Sequence, residues 1–424
     1  MSYSSIVRSY LPRLADKELK RGLDAFGAVL IEGPKWCGKT TTAEQAAKSV
    51  LYLQDDDMGE QYEQMLRVKP SNLLEGKKPR LIDEWRMAPK LWDSVRFSID
   101  RQSENGMYIL TGSTSVDNSL IEHSGAGRIK RMKMGTMSLF ESGDSTAEVK
   151  LSDMFEGRDI SGYSEVSVEK MAELLVRGGW SKTIGEDITT AYEHMDGYCR
   201  TILESDISTV DRVNRDSTRM AKIMRSLSRN ISTQAPDTTI AADLNEKEND
   251  RTHVNTVRDY INALKKLHIV DDLQAWNPKL RSKAAVRTSD TRHFCDPAIA
   301  AYFLGASPRN LMNDLKTYGC LFESLVVRDL RAYVKGIGGD VYHYRDSDGL
   351  EADAVLHLRD GRWGAAEVKL GAGMIDEAAE NLKKLENKVD SPDSPSFLAV
   401  ITCTNYAFRR DDGVYVVPIC CLRD

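Results

Sequence analysis

The chain has 424 residues, of which 41% are hydrophobic and 29% charged, and its formal net charge is −6. This length exceeds one compact core, so we expect two to four domains of a soluble globular protein. The acidic balance excludes a broadly cationic protein that binds nucleic acid through its whole surface. A nucleic-acid surface would have to be local, and the run 127–134, with four cationic residues in eight, is one candidate.

Targeting and redox signals are weak throughout the chain. No apolar run approaches the roughly 20 residues that a membrane helix needs, and the first 20 residues lack the apolar core of a secretory signal. Among the seven cysteines only Cys420 and Cys421 are close in sequence, which favours neither a disulfide framework nor a zinc site. We therefore expect a cytoplasmic protein with no membrane partner.

The stretch GAVLIEGPKWCGKTTTAEQAA, residues 27–47, contains a phosphate-binding signature. Gly33 and Gly38 begin and end the loop of the pattern GxxxxGK[ST], which a strand over 28–32 is predicted to precede and a helix over 40–47 to follow. Glycines let backbone N–H groups close around phosphate oxygens, and the helix N-terminus adds partial positive charge. The pattern therefore predicts a nucleotide site.

In this loop, Lys39 is expected to reach the β and γ phosphates, and the Thr40 hydroxyl to bind Mg²⁺. The predicted nucleotide-contacting residues are Gly33, Pro34, Lys35, Cys37, Gly38, Lys39, Thr40 and Thr41.

A second short strand, RLIDEW over 80–85, ends in two acids. Asp83 is expected to hold Mg²⁺, and Glu84 to orient the water that attacks the γ-phosphate. An apolar run followed by DE is by itself a weak signal, but its combination with the phosphate-binding loop is a strong one.

A third predicted strand, MYILTGST over 107–114, ends in hydroxyl residues, and Thr111 or Ser113 is a candidate to sense the γ-phosphate at the carboxyl edge of a parallel sheet. Arg128 follows two glycines and is a candidate arginine finger for the nucleotide of a neighbouring subunit in a dimer or ring. The alternative for Arg128 is a solvated basic loop or a contact to a nucleic-acid backbone.

The segments GPKWCGKTT, LIDEW, APKLWDSVR, YILTGS, SGAGRI and MSLFE resemble a family of prokaryotic AAA-type ATPases related to the archaeal ATPases and the STAND class. The resemblance covers nearly the whole chain. It implies an ASCE-type P-loop core that binds ATP and Mg²⁺, then a winged helix, then a C-terminal domain of unknown function with a nuclease-like core.

The middle of the chain changes character twice. Residues 141–162 are rich in Ser, Asp, Gly and Glu and are typical of a connector or an edge excursion. The following helical segment, broken at Gly178 and Gly179, is similar to the helical lid of such ATPases. The next part resembles a winged helix, in which 254–267 would be the recognition helix and could enter a DNA major groove. Winged helices in ATPases also serve as protein contacts, and that alternative stays open.

The C-terminal part combines acids and a lysine in a pattern typical of metal-dependent phosphodiesterases. Glu323 lies on an apolar stripe of a predicted helix over 317–334, where a metal site would give it a partner. Three strands are predicted to follow as a meander, with Asp353 in the second and Glu367 and Lys369 on one face of the third.

Asp353 and Glu367 would coordinate Mg²⁺, and Lys369 would steady the transition-state charge. This arrangement resembles the PD-(D/E)XK nuclease fold, close to its junction-resolvase branch, with Ala352 in place of the proline. The alternative is a degenerate nuclease fold kept as a binding module.

The sequence thus predicts a multidomain α/β protein with four modules. They are a P-loop ATPase core (1–165), a helical lid (166–209), a winged helix (210–310) and a restriction-endonuclease-like domain (311–424). The leading hypothesis is a Mg-dependent ATPase that acts on DNA, including branched DNA. The alternatives are a STAND-like switch whose C-terminal domain binds a protein without metal, and a nuclease whose access the ATPase gates.

Overall fold

The computed structural model describes residues 10–115, 123–211, 213–245, 252–278, 289–389 and 394–424. The chain divides into two compact units, Met1–Met134 and Gly135–Asp424. The first unit ends before residue 165, where the sequence analysis sets the end of the ATPase core. In the described ranges no helix has the length and apolarity that a membrane span needs.

The first unit is an α/β unit built on a parallel sheet. Its helices are α1 (Leu14–Ala25), α2 (Lys39–Ala46), α3 (Gly59–Val68) and α4 (Lys90–Gln102), with 3₁₀ turns at Asp56–Met58, Pro70–Leu74 and Trp85–Met87. Its strands are β1 (Ala28–Glu32), β2 (Ser49–Tyr52), β3 (Arg80–Asp83), β4 (Tyr108–Gly112) and β5 (Ile129–Lys133). The described strands pair in parallel in the order β2-β3-β4-β1-β5.

Strand β1 explains why this sheet forms. All five of its residues are buried, and they divide between two apolar clusters: Ala28 and Leu30 in one, Val29 and Ile31 in the other. A strand buried on both faces is typical of a parallel sheet covered by helices. The predicted strands around residues 28, 80 and 107 and the predicted helix after Lys39 are confirmed.

The second unit has a helical part and a mixed sheet. Its helices are α5 (Leu151–Phe155), α6 (Val168–Arg177), α7 (Ile188–Thr201), α8 (Ile207–Thr209), α9 (Ser217–Arg229), α10 (Asp237–Leu244), α11 (Val254–Lys266), α12 (Pro297–Leu304), α13 (Pro308–Asn313), α14 (Leu315–Gly336) and α15 (Ile375–Lys388), with a π-helical segment at Ile202–Asp206 and 3₁₀ turns at Ala372–Met374 and Ile419–Cys421. Its strands are β6 (Val149–Lys150), β7 (Gly162–Tyr163), β8 (Gly339–Arg345), β9 (Glu351–Leu358), β10 (Trp363–Lys369), β11 (Phe397–Thr402), β12 (Tyr406–Arg409), β13 (Tyr415–Pro418) and β14 (Leu422–Arg423).

The described strands of the larger sheet lie in the order β7-β12-β13-β11-β10-β9-β8. Strands β8, β9 and β10 form the predicted antiparallel meander, whereas β10, β11 and β13 run parallel. Strands β6 and β7 pair with β14 and β12. The segment that the sequence analysis describes as a connector or an edge excursion therefore adds strands to the C-terminal part.

The helical part contains the predicted helical segment after residue 162 and the predicted helix over 254–267. The break at Gly178 is confirmed, since Gly178 ends α6 with φ of +72°. Helices α9, α10 and α11 follow in turn. A winged helix would need a β-wing after α11; the described residues of that segment form two single antiparallel bridges, Val270 to Phe294 and Leu273 to Thr291, and residues 279–288 lie outside the described ranges. The winged helix remains a prediction.

A buried ion network ties the parts of the second unit together. Arg328 on α14 pairs with Asp296 at 2.9 Å and with Asp329 at 2.7 Å, and both carboxylates are fully buried. Asp296 also accepts from the Gly179 N–H, and Asp329 from the Leu139 N–H. Removing Arg328 would leave two buried charges unpaired, which is strongly destabilising.

Candidate nucleotide-binding site and a second acidic site

The loop between β1 and α2 has the backbone that its two glycines predict. A Cβ on Gly33 would lie 2.0 Å from the Met134 carbonyl oxygen, so no other residue fits there. Gly38 precedes α2 with φ of +100°, a conformation that side chains oppose. The loop therefore holds a tight turn at the N-terminus of α2, where backbone N–H groups and the helix dipole favour an anion.

Lys39 is buried and folds back over the loop. Its Nζ donates to the Gly33 carbonyl at 3.1 Å and to the Pro34 carbonyl at 2.8 Å. Both acceptors are neutral, so phosphate oxygens can replace them without separating an ion pair. The other predicted loop contacts lie nearby in the chain, with Cys37 buried, Lys35 half-buried and Thr41 exposed.

The predicted magnesium ligands of the P-loop and of β3 meet. Thr40 Oγ1 donates to Asp83 Oδ1 at 2.7 Å, and Thr111 Oγ1 donates to the same oxygen at 2.6 Å. Thr111 is therefore bonded to the acid of β3. It lies on β4, next to β3 in the sheet.

Glu84 is held by two contacts in an unusual backbone conformation. Its φ is +51°, a left-handed value that costs energy in a residue with a side chain. Its N–H donates to Thr111 Oγ1 at 3.1 Å, and its Oε1 accepts from Ser113 Oγ at 2.6 Å. Thr111 and Ser113 thus fix the directions of both acids.

The donor set fits Mg²⁺. The Thr40 hydroxyl and the Asp83 carboxylate supply hard oxygens, which Mg²⁺ prefers in combination with water and substrate phosphates. Asp83 is buried, so its charge gains more from a cation than an exposed carboxylate would.

Arg128 lies at the amino ends of the strands, whereas the P-loop lies at their carboxyl ends. It directly precedes β5, whose first residue Ile129 pairs with Ala28 at the start of β1, whereas the P-loop follows the end of β1. Arg128 pairs with Asp100 of α4 at 2.8 Å and is half-exposed. This position leaves no role for Arg128 at the nucleotide of its own subunit.

The segment before the first strand contributes residues that sequence reasoning missed. Arg13 is buried and donates to the Cys37 carbonyl of the P-loop at 2.7 Å. Tyr10 donates to Asp16 at 2.6 Å and contacts Thr42 Oγ1 of α2 at 3.1 Å. The signal in the sequence was an arginine and an aspartate three residues apart at the start of an amphipathic helix, where Asp16 accepts from the Arg13 N–H.

The second acidic site lies in the second unit, where the sequence predicted it. Glu323 lies on α14, Asp353 on β9, and Glu367 and Lys369 on β10. The register of β9 and β10 sets Ala354 opposite Ala366, so Asp353 follows opposite Glu367. The Val368 N–H donates to Asp353 Oδ2 at 2.7 Å, and Lys369 pairs with Glu367 at 2.9 Å.

These acids are short of positive partners. Burial raises the pKa of Glu367 to about 7, and Lys369 opposes that shift. Burial, and then the Asp353 charge, raise the pKa of Glu323 well above its ordinary value. Burial also raises the pKa of Asp353. Sequence reasoning missed Glu351, whose charge adds to all three shifts.

The donor chemistry of this site fits a divalent cation, because three carboxyl groups share the single charge of Lys369. The described ranges contain no group of three or more His, Cys, Asp and Glu side chains placed to hold a metal. Asp353 and Glu367, the predicted ligands, lie on the neighbouring strands β9 and β10 without forming such a group. Sequence reasoning also missed Ser232, whose hydroxyl donates to the Cys320 carbonyl at 2.8 Å and slightly opposes the raised pKa of Glu323.

Comparison with known families supports the reading of the first unit. The family described as AAA domain matches residues 25–142. This match supports an AAA-type P-loop ATPase. Two domains of unknown function, DUF8612 and DUF4143, match residues 168–310 and 318–422. The first of these spans the predicted lid and winged helix together.

The similar proteins carry no further assignment. Uncharacterized proteins of Mycobacterium bovis and Mycobacterium tuberculosis are each 24% identical over 352 residues, which cover 82% of this chain and 71% of theirs. A solved Walker-type ATPase of Pyrococcus abyssi aligns with a TM-score of 0.42 and 13% identity, over 70% of this chain and 96% of that chain.

Proposed function

We propose that the first unit binds ATP with Mg²⁺ and hydrolyses it. The observation that carries this proposal is the set of hydroxyl contacts in which Thr40 and Thr111 hold Asp83 while Ser113 holds Glu84. Such contacts orient an acid without neutralising it, as catalysis of phosphoryl transfer requires.

Each residue has a distinct task in this proposal. Lys39 leaves the carbonyls of Gly33 and Pro34 and donates to the β and γ phosphates. Glu84 orients the attacking water and accepts its proton, while Thr40 and Asp83 would hold the cation. Bound Mg²⁺ would supply charge neutralisation at the phosphates.

Phosphate release by the purified full chain tests this proposal. Glu84→Gln is expected to bind ATP and to lose about 100-fold or more in kcat, since general-base catalysis contributes that much. Glu104→Gln, an exposed acid of the same unit, is the matched control. A Glu84→Gln enzyme with full turnover would overturn the assignment.

We further infer that ATP hydrolysis is coupled to DNA processing by the second unit, with Asp353 and Glu367 as ligands of Mg²⁺ and Lys369 as the partner of the transition-state charge. The shortage of positive charge around these acids supports the proposal. Glu323 would act on the same cation through its neighbours. The test incubates duplex, single-stranded and four-way-junction DNA with Mg²⁺, and we expect cleavage that Asp353→Ala abolishes.

The contrary candidate is a STAND-like switch, in which the C-terminal part binds a protein partner. Two observations favour it: the ion pair between Lys369 and Glu367, and the lack of a three-residue metal group in the described ranges. DNA binding that falls steeply with salt supports the DNA role, whereas absent or salt-independent binding supports the switch. Cleavage that survives Lys39→Ala with an altered rate would indicate a nuclease gated by the ATPase.

We also propose that Arg128 acts on the nucleotide of a second subunit in a dimer or ring. Its position at the edge of the sheet away from its own P-loop supports this role. The proposal fails if the Arg128→Ala protein hydrolyses ATP at the normal rate, or if a monomer is fully active.

A further inference from the structure

Helix α9 concentrates positive charge in an acidic chain. Its 13 residues, STRMAKIMRSLSR, include four cations and no acid, whereas the whole chain has a net charge of −6. The four cations are Arg219, Lys222, Arg225 and Arg229.

These cations share one side of the helix. At about 100° per residue, the four positions fall within an arc of about 120°. The buried residues of α9 include Met220, Ile223, Met224 and Leu227, and these pack against the rest of the unit. The cationic face therefore points away from the apolar contact.

Two of the four charges on this face have no ion partner within the described ranges. Lys222 and Arg225 are exposed and form no ion pair within the described ranges. Arg229 is 58% exposed and pairs with Asp243 at 3.7 Å. Solvent screens such contacts, so they remove little of the local field.

The predicted recognition helix α11 has the opposite pattern. Each of its three cations has an acid beside it: Arg258 with Asp237 at 3.1 Å, Lys265 with Asp272 at 2.7 Å and Lys266 with Asp211 at 3.7 Å. Arg292 and Arg215 share these acids. A phosphate that approached α11 would have to compete with these carboxylates.

We propose that the cationic face of α9, and not α11, contacts the phosphate backbone of duplex DNA. The inference rests on the proposed coupling to DNA and specifies the surface that carries it. From Lys222 to Arg229 the face extends roughly 10 Å at 1.5 Å per residue, which spans about three base-pair steps of one strand. Backbone contacts of this kind give affinity without base sequence specificity.

The test compares two variants that remove the same charge from the full chain. The α9 variant combines Lys222→Gln, Arg225→Gln and Arg229→Gln. The matched α11 control combines Arg258→Gln, Lys265→Gln and Lys266→Gln. Fluorescence anisotropy with a labelled 30-base-pair duplex gives Kd at 50, 100, 200 and 300 mM salt, and thermal unfolding checks that both variants fold.

We expect the α9 variant to weaken binding about tenfold or more at 100 mM salt and to lower the salt slope by about 1 for each lost phosphate contact. The α11 control is expected to change Kd less than about threefold, because its cations are already paired. Equal losses in the two variants would indicate a general charge effect and overturn the proposal, as would a larger loss in the α11 control.

The remaining outcomes separate this inference from the proposed function. If the wild type binds DNA and the α9 variant binds it equally well, the inference about α9 is wrong, and the proposed coupling to DNA stands. A wild-type protein that binds no DNA at 50 mM salt contradicts both the inference about α9 and the proposed coupling to DNA. The proposal of ATP hydrolysis is tested separately, by phosphate release. Loss of binding to phosphatidylserine vesicles by the α9 variant, with DNA binding unchanged, would assign the face to a membrane surface and overturn the proposal.

Discussion

The first and second units each place acids at strands next to a lysine, but they compensate these groups differently. Asp83 and Glu84 accept from hydroxyl groups, and Lys39 donates to neutral carbonyls. In the second unit, Lys369 pairs directly with Glu367, and the neighbouring acids crowd around that pair. In the first unit the acids and Lys39 have only neutral partners among the described residues, so their charges are available to a ligand. In the second unit Lys369 is already paired with Glu367.

This difference has a physical consequence. Neutral partners can be exchanged for phosphate or Mg²⁺ at a small cost, because a neutral hydrogen bond contributes about 1 kcal/mol net. An ion pair in a buried setting is costly to break, since the remaining charge is left without a partner. The nucleotide site is therefore poised for ligand exchange, and the second acidic site gains most from a cation that adds charge without displacing Lys369.

The largest expected contrast comes from replacing each lysine by methionine. Lys39→Met should lower kcat/KM for ATP by about 100-fold or more, as for loss of a transition-state donor, and should change the unfolding free energy by only about 1 kcal/mol. Above pH 7, where Glu367 is ionised, Lys369→Met should destabilise the protein by about 3 kcal/mol, because the Glu367 carboxylate is left without its partner. Steady-state kinetics and denaturant unfolding measure both. A Lys369→Met protein of unchanged stability would contradict the inference that Lys369 stabilises the fold through its ion pair with Glu367.

The second prediction concerns pH. The raised pKa of Glu367, about 7 against an ordinary 4.5, means that the folded protein keeps a proton that the unfolded chain releases. The contribution of Glu367 to stability is therefore present at pH 4.5 and is lost as pH rises to 7, by an amount on the order of 3 kcal/mol. As pH rises from 4.5 to 7, the unfolding midpoint of the wild type should fall relative to that of Glu367→Gln.

The exposed Glu380→Gln serves as the control for that measurement. It should follow the wild-type pH dependence. A Glu367→Gln protein that does the same would show that Glu367 is not the group that titrates in this window.

The third prediction tests whether hydroxyl contacts orient the acids of the nucleotide site. Ser113→Ala and Thr111→Val should each lower kcat about tenfold, as loss of an orienting partner does at comparable sites, with little change in KM. Ser94→Ala, which removes a hydroxyl that donates to a carbonyl of its own helix, should be neutral. Unchanged kcat in both site variants would mean that these hydroxyl contacts do not orient Asp83 and Glu84 for catalysis.

The smallest expected effect concerns Arg13 as a positioning residue of the P-loop. Arg13→Ala should raise KM for ATP about fivefold, which corresponds to the loss of one hydrogen bond of about 1 kcal/mol, with kcat nearly unchanged. Arg13→Lys should raise KM less than Arg13→Ala does. Arg67→Ala, at an exposed position of α3, should leave KM unchanged. A fall in kcat with constant KM would instead place Arg13 at the reacting phosphate.

Sequence patterns predicted the backbone of the P-loop and the neighbouring strand ends well because these parts are local. The glycines, Lys39 and Thr40 lie within eight residues, and the strand ends with Asp83 and Thr111 follow from apolar runs. The meander that carries Asp353 and Glu367 was predicted for the same reason, since alternation and turns are short-range signals.

What the sequence left open depended on long-range contacts. Arg13 and Ser232 reach their partners across 24 and 88 residues, and no pattern links such positions. The charge pattern of α11 also depended on the fold, because Asp237, Asp272 and Asp211 come from other segments to pair with its cations.

The sequence alone therefore determined the turn of the P-loop and the strand ends that carry Asp83 and Thr111, because glycine spacing and apolar runs set the local backbone. Tertiary structure decided which charges remain available. Lys222 and Arg225 of α9 are exposed to solvent and Lys39 donates to neutral carbonyls, whereas in α11 and around Lys369 the fold places acids beside the cations. Electrostatic pairing acts over a few ångströms in space, and distance along the chain does not reveal it.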